Sequence, residues 1–284
     1  MHELFKQLQE GGIILLVTLA MFYLAKVIKN VSTSYDVNEE IKKGNLAVGT
    51  SLAGYFFACI IIFIGGLIGP SHGLKADLIS YVGYGLLGIL LLNLSRVIND
   101  RVILYHFSNV KELVTDQNPG TGAVEFGSYV ASGLVIAGSI HGQGGGLVTA
   151  LAFYGLSQVA LVLFAWVYNL VTPFDLHAEI ERDNIAVGVA FGGHLTALGI
   201  ILMRGAAGDF ISWEANLTEF FFAVLAGILL LPLIRMILDL LMLRNLKISE
   251  ALAKGNLSVG FLEAAMSIGF ASLLFYLLDF HSLV

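Results

Sequence analysis

The chain has 284 residues, 57% hydrophobic and 13% charged, with 15 Lys and Arg against 21 Asp and Glu and a formal charge of −6. A soluble domain carries about 25% charged residues, so water is excluded as the neighbour of most of this surface, and the acidic balance excludes the basic face that nucleic-acid binding needs. The single cysteine, Cys59, excludes an internal disulfide framework and reads as a small hydrophobe inside an apolar run.

A span needs roughly 17–25 apolar residues, and such runs lie at 11–29, 46–68, 77–104, 120–140, 146–171, 185–203, 215–243 and 257–278. They predict an all-α integral membrane protein with eight transmembrane helices. The first run is preceded by one basic residue, Lys6, and interrupted near its end by Lys26, with no small-residue cleavage motif after it. It reads as a retained helix rather than a signal peptide. The third and seventh runs are long enough to tilt or protrude.

Basic residues favour one side. Connections from an odd run to the next even one carry Lys26, Lys29, Lys42, Lys43, Arg96, Arg101, Lys111, Arg182, Arg235, Arg244, Lys247 and Lys254, against Lys6, Lys75 and Arg204 on the other side. The positive-inside rule places the odd-to-even connections in the cytoplasm and both termini outside. Residues at helix ends, Lys29 among them, are expected to snorkel to the interface.

Each even run opens with Asn, three residues and Gly: Asn45–Gly49, Asn118–Gly122, Asn184–Gly188 and Asn256–Gly260. Asp36-Val-Asn-Glu-Glu-Ile-Lys-Lys-Gly-Asn-Leu-Ala-Val-Gly49 aligns without gaps to Asp175-Leu-His-Ala-Glu-Ile-Glu-Arg-Asp-Asn-Ile-Ala-Val-Gly188. The motif Asn residues lie 139 residues apart in copies one and three and 138 apart in copies two and four. The spacing predicts a tandem duplication, 1–142 and 143–284, of a four-helix unit built from two hairpins. Since each hairpin contains two spans, the four copies are expected to enter in parallel rather than inverted orientation. The Asn suits an N-cap, and the Gly suits close helix approach in lipid.

These duplicated hairpins, with Asn-[Leu/Ile]-Ala-Val-Gly at the second helix, resemble the YjfL-type bacterial inner-membrane proteins, domain of unknown function 350. The resemblance is clearest at 41–54 and 180–193, and shorter members resemble one half of this chain. Copies two and four depart from the pattern, with Pro119 and Ser258 in the Ala-bearing run. The resemblance implies a bacterial inner-membrane location and no particular activity.

Chemistry is sought among the charges inside spans, because a mid-membrane carboxylate costs about 2.5–3.5 kcal/mol on insertion scales. Glu125 and Glu263 each lie seven residues after the motif Asn, where copies one and three have Leu52 and Phe191. Asn93, Arg96 and Asp100 share a helical face, and Pro232, Arg235 and Asp239 repeat their spacing. Each half thus offers two acids and one base, a balance of −1 that a proton or cation would complete. Gly122, Ser128 and Ser132, and Gly260 and Ser267, extend the glutamate stripe with small or polar residues.

His72, His141 and His281 belong to the outer side without metal-ligand spacing, and His194 reads as a packed ring. Gly142-Gln-Gly-Gly-Gly146 lacks the Lys and Ser/Thr of a phosphate loop and reads as a flexible outer turn. Asp36, Glu40, Asp175 and Glu179 read as a solvated face. No catalytic arrangement, metal site or cofactor motif emerges, so a non-enzyme is expected. The leading expectation is a channel or transporter for protons, monovalent cations or small organic cations, with Glu125 and Glu263 paired in a shared interior. The alternative is a scaffold or accessory subunit, partnered by the bilayer and by a homo-oligomer or a larger membrane complex.

Overall fold

The computed structural model describes residues 2–241 and 246–278. Among them lie eleven α-helices and no strand: α1 (His2–Ser32), α2 (Val37–Lys42), α3 (Leu46–Leu67), α4 (Leu74–Ile98), α5 (Pro119–Ile140), α6 (Leu147–Val171), α7 (Leu176–Glu181), α8 (Ile185–Ala206), α9 (Trp213–Leu241), α10 (Ile248–Ala253) and α11 (Leu257–Leu277). Two π-helical turns, Asn99–Ile103 and Lys111–Thr115, fill the connection between α4 and α5. Eight of the helices are long and apolar enough to cross a membrane. The chain is a multi-pass membrane protein.

The short elements before α3, α5, α8 and α11 share one construction. Asp36 and Asp175, exposed as expected of solvated acids, also cap α2 and α7 by accepting from the amides of Asn38 and Glu39, and of His177 and Ala178. The residue just before each motif Asn turns left-handed: Gly44 at φ 77°, Gln117 at 53°, Asp183 at 61° and Gly255 at 73°. Glycine adopts this conformation without steric penalty, while Gln117 and Asp183 carry a cost the surrounding contacts hold in place. The turn hands the chain to the motif Asn, whose Oδ1 caps the long helix by accepting from Val48, from Gly120 and Thr121, from Val187 and from Val259 respectively. Helix start signals in the sequence are thus the real ones.

The same Asn also ties one repeat to the next. Its Nδ2 donates to a carbonyl in the following pre-helix: Asn45 to Leu113 at 2.8 Å, Asn118 to Ile180 at 2.6 Å and Asn184 to Leu252 at 2.9 Å. A second donation runs to a glutamate of its own pre-helix, Glu40, Glu112 or Glu179, at 2.8–2.9 Å. Glu40 is therefore buried rather than solvated.

The tightest packing joins α3 to α5, α5 to α8 and α8 to α11. Glycine sets the distance. A β-carbon at Gly122 would lie 2.6 Å from the Ala47 carbonyl oxygen, and one at Gly260 would lie 2.6 Å from that of Ala186. At Gly188 it would collide with the Gly120 backbone. Further along, Gly54 abuts Phe126, Gly127 abuts Gly192 and Gly193 abuts Ala264, so contacts ascend together along each pair. Small residues allow the dispersion contacts that associate helices in lipid. The helices α4, α6 and α9 each pack on two members of this row, α4 on α3 and α5, α6 on α5 and α8, and α9 on α8 and α11, while α1 packs on α3 and α4.

Candidate functional site

The first site lies where α1, α3, α4 and α5 meet, toward the end carrying the α1–α2 and α4–α5 connections. Glu125 of α5, buried, accepts a hydrogen bond from Ser51 of α3. Lys29, three residues before the end of α1, does not snorkel: it is 2% exposed, and its Nζ donates to the Tyr129 hydroxyl at 2.6 Å. The ammonium also sits over the rings of Tyr129 and Tyr55, at 4.7 and 5.4 Å from their centroids. These contacts explain the inward turn, since a desolvated ammonium gains most from an aromatic face. Tyr55 is fixed in turn by donating to the Ala25 carbonyl at 3.0 Å and accepting from Asn93 at 3.2 Å.

Arg96 and Asp100 lie beside this group, close enough for their charges to act on Glu125 together with that of Lys29. Arg96 donates not to the glutamate but to the Ser32 carbonyl at 2.6 Å, and its buried Nε has no hydrogen-bond partner among the described residues. Asp100 accepts from Asn109 at 2.7 Å. With Lys29 included, the site holds two bases and two acids, so the expected balance of −1 does not apply here. A cavity of about 250 Å³ is lined by Lys29, Tyr35, Arg96, Asp100, Asn109 and Glu125, among others.

The second site occupies the matching place among α6, α8, α9 and α11 and is built differently. Arg235 Nε lies 2.9 Å from Glu263 Oε1, and both side chains are buried. Arg235 also donates to Ser249 at 3.2 Å and stacks over Tyr168, 5.5 Å from the ring centroid. His194 is a packed ring, with Nδ1 at 2.9 Å from the Ala190 carbonyl and Nε2 at 3.2 Å from Ser267 and 3.6 Å from Glu263. The nitrogen against the Ala190 carbonyl must carry the proton, since a carbonyl only accepts. Asp239 falls in α9, but its side chain lies outside the described residues, as do Arg244 and His281.

The two glutamates are not paired in a shared interior. The neighbours given above for Glu125 come from α1, α3, α4 and α5, those of Glu263 from α8 and α9, and none is common to both. The spacing of 139 residues sets Tyr168 in the place of Lys29, His194 in that of Tyr55 and Ala190 in that of Ser51. One site keeps a free-standing acid beside an ammonium. The other is a closed ion pair. Sequence reasoning missed Lys29 because a lysine ending an apolar run is usually interfacial; the signal was its alignment with an aromatic inside α6.

The family model described as Domain of Unknown Function (DUF350) matches residues 3–140 and again 144–278. The chain belongs to this family. Each DUF350 unit contains one of the two sites, and the α5–α8 contact joins the units. The chain is 29% identical over 123 residues to a protein described as "UPF0719 transmembrane protein YshE" from Bacillus subtilis (strain 168), covering 43% of this chain and 87% of that relative. It is 21% identical over 233 residues to "UPF0719 transmembrane protein" from Aquifex aeolicus (strain VF5), covering 80% and 84% respectively. No solved structure matches the chain.

Proposed function

We propose that this DUF350 chain is a transporter or channel of the bacterial cytoplasmic membrane that exchanges protons, alone or against a small cation, at Glu125. The observation that carries the reading is one buried carboxylate and one buried ammonium, Glu125 and Lys29, lining the same cavity. An intramembrane carboxylate costs about 2.5–3.5 kcal/mol, so a fold that keeps one reachable from a cavity has a use for its ionisation. Lys29 and Arg96 disfavour a resident metal cation and favour a proton as the exchanged species. In this reading the four hairpins are parallel copies, the two halves are related by an axis along the membrane normal, and both termini face outward. The cavity then opens to the cytoplasm.

A second reading has its own support. Arg235–Glu263 is a buried ion pair of the kind that can fix helices without any transport role, which suits a scaffold or accessory subunit. Proteoliposomes holding an internal pH-sensitive dye separate the two. An imposed pH gradient should dissipate faster than in empty vesicles, and Glu125→Gln should abolish the difference while the protein still elutes as a single folded species. Unchanged flux and unchanged pH response in Glu125→Gln would remove this site from the mechanism.

A further inference from the structure

We propose that the row of helices α3, α5, α8 and α11 does not stop at α11, and that α3 of a second copy of the chain docks there, head to tail, as a fifth repeat would. The argument rests on three interfaces inside the chain that follow one rule. Counting from the motif Asn, position +2 of one repeat meets +4 of the next, +9 meets +8 and +13 meets +15. The first pairing is Ala47 with Gly122, Gly120 with Gly188 and Ala186 with Gly260. The second is Gly54 with Phe126, Gly127 with Gly192 and Gly193 with Ala264. Two examples of the third are Ala58 with Gly133 and Ala131 with Gly199.

Applied once more, the rule pairs Ser258, Ala265 and Gly269 of α11 with Gly49, Ala53 and Ile60 of the next α3. Each pair again has a small residue on at least one side. Where α3 carries a bulky Ile60 in place of the usual Gly or Ala, α11 answers with Gly269 in place of Ala. Ser258, Ala265 and Gly269 are exposed, as are Ala53 and Ile60. A β-carbon at Gly269 would meet nothing within 4 Å, and one at Gly49 only Ile41 Cδ1 of its own repeat at 3.7 Å.

The polar tie between repeats is unfinished at the same two places. The Nδ2 atoms of Asn45, Asn118 and Asn184 each reach a carbonyl of the next repeat, whereas Asn256 is exposed and its Nδ2 finds no acceptor among the described residues. The residues supplying those carbonyls, Leu113, Ile180 and Leu252, are 2%, 0% and 0% exposed, whereas their counterpart Ile41 is 42% exposed. The occupant is identified by continuity: α5–α8 already docks one DUF350 unit on another, and the Bacillus relative, matched over 87% of its length by 123 residues, has about the length of one such unit. A heterologous contact of this kind closes into a ring or extends as an array.

Cysteine cross-linking in native membranes tests the register. In a Cys59→Ala background, chains carrying Ala53→Cys and differently tagged chains carrying Ala265→Cys should form a mixed disulfide dimer on mild oxidation. Ile60→Cys with Gly269→Cys should do the same, and the double variant Ala53→Cys/Ala265→Cys should give a ladder of multimers. Ala53→Cys with Gly269→Cys, about 6 Å out of register at 1.5 Å per residue, should cross-link at least tenfold less. Self-linking of the Ala265→Cys chain alone would show a two-fold contact and overturn the proposal. So would yields no higher than those of Val159→Cys with Leu229→Cys, both exposed on the other helix layer. These positions face lipid in the single chain, so the substitutions spare its own packing.

Discussion

Replacing Asn118 by Ala removes four interactions at once, and the structure allows their sum to be estimated. Its Oδ1 caps α5 through the amides of Gly120 and Thr121, and loss of such a cap costs about 1 kcal/mol. Its Nδ2 satisfies Glu112, buried at 2% exposure, and the Ile180 carbonyl. A buried acceptor left without its donor costs about 1–3 kcal/mol. Ile180 keeps a second donor in the Asp183 amide, so its loss belongs at the lower end. The total is about 3–5 kcal/mol. Asn256→Ala should cost only about 0.5–1 kcal/mol, because that residue caps α11 through one long contact, 3.4 Å to the Val259 amide, and its Nδ2 ties to no following repeat among the described residues. Asn118→Asp keeps the capping oxygen and loses the donor, so it should retain no more than about the cap's 1 kcal/mol. Reversible unfolding in mixed detergent–SDS micelles, in a variant unable to oligomerise, measures all three. Equal losses for Asn118→Ala and Asn256→Ala would refute the idea that the motif Asn holds consecutive repeats together.

The remaining predictions follow from single sites. Glu263→Leu takes the carboxylate from the buried Arg235 and should cost about 3 kcal/mol, and the double variant Glu263→Leu/Arg235→Met should recover most of it; thermal melts in detergent decide, and a double variant no better than the single would mean that the pair is not what holds α9 to α11. His177 is buried against His106, ring centroids 4.5 Å apart, with Nε2 at 2.7 Å from the Ile103 carbonyl, and burial pulls its pKa below the ordinary 6.5. A depressed histidine contributes stability that is complete above pH 6.5 and is lost as pH falls from there through the folded value, so His177→Gln should flatten the acid limb of the stability profile. Reporter fusions placed after Val284 and in the 142–146 turn should register outside the cell, and one after Val110 should register in the cytoplasm; a cytoplasmic C-terminus would reverse the assignment of the Glu125 cavity.

Much of the fold was legible because lipid restricts what a backbone can do. Each of the eight runs falls on a helix among the described residues, and the motif Asn and Gly do what their chemistry suggests, because capping and close approach are local demands that a single residue type meets. The site was only half legible. Glu125 and Glu263 were found by cost, but their separation depends on which way α5 and α11 rotate, and that is fixed by glycines on neighbouring helices rather than by any stripe on their own. Arg96 and Arg235 share a spacing yet end on different partners, because Ser51 and Lys29 serve Glu125 where Ala190 and Tyr168 leave Glu263 to Arg235. The donation of the Asn amide to the next repeat was invisible, since it crosses 62–68 residues of sequence to a backbone carbonyl that no side-chain pattern reveals.

That crossing bears on how the chain is made. Because each long even helix packs on the even helix of the hairpin synthesised just before it, a growing chain leaving the ribosome finds its docking surface already in the bilayer and never waits for a distant segment. The amides of Asn45, Asn118 and Asn184, however, keep one hydrogen bond unmade until the next pre-helix emerges with its carbonyl. The second, third and fourth hairpins are thus seated by their predecessors and the first three are locked by their successors, so a ribosome stalled between hairpins leaves a nascent chain that is inserted but one latch short of stable.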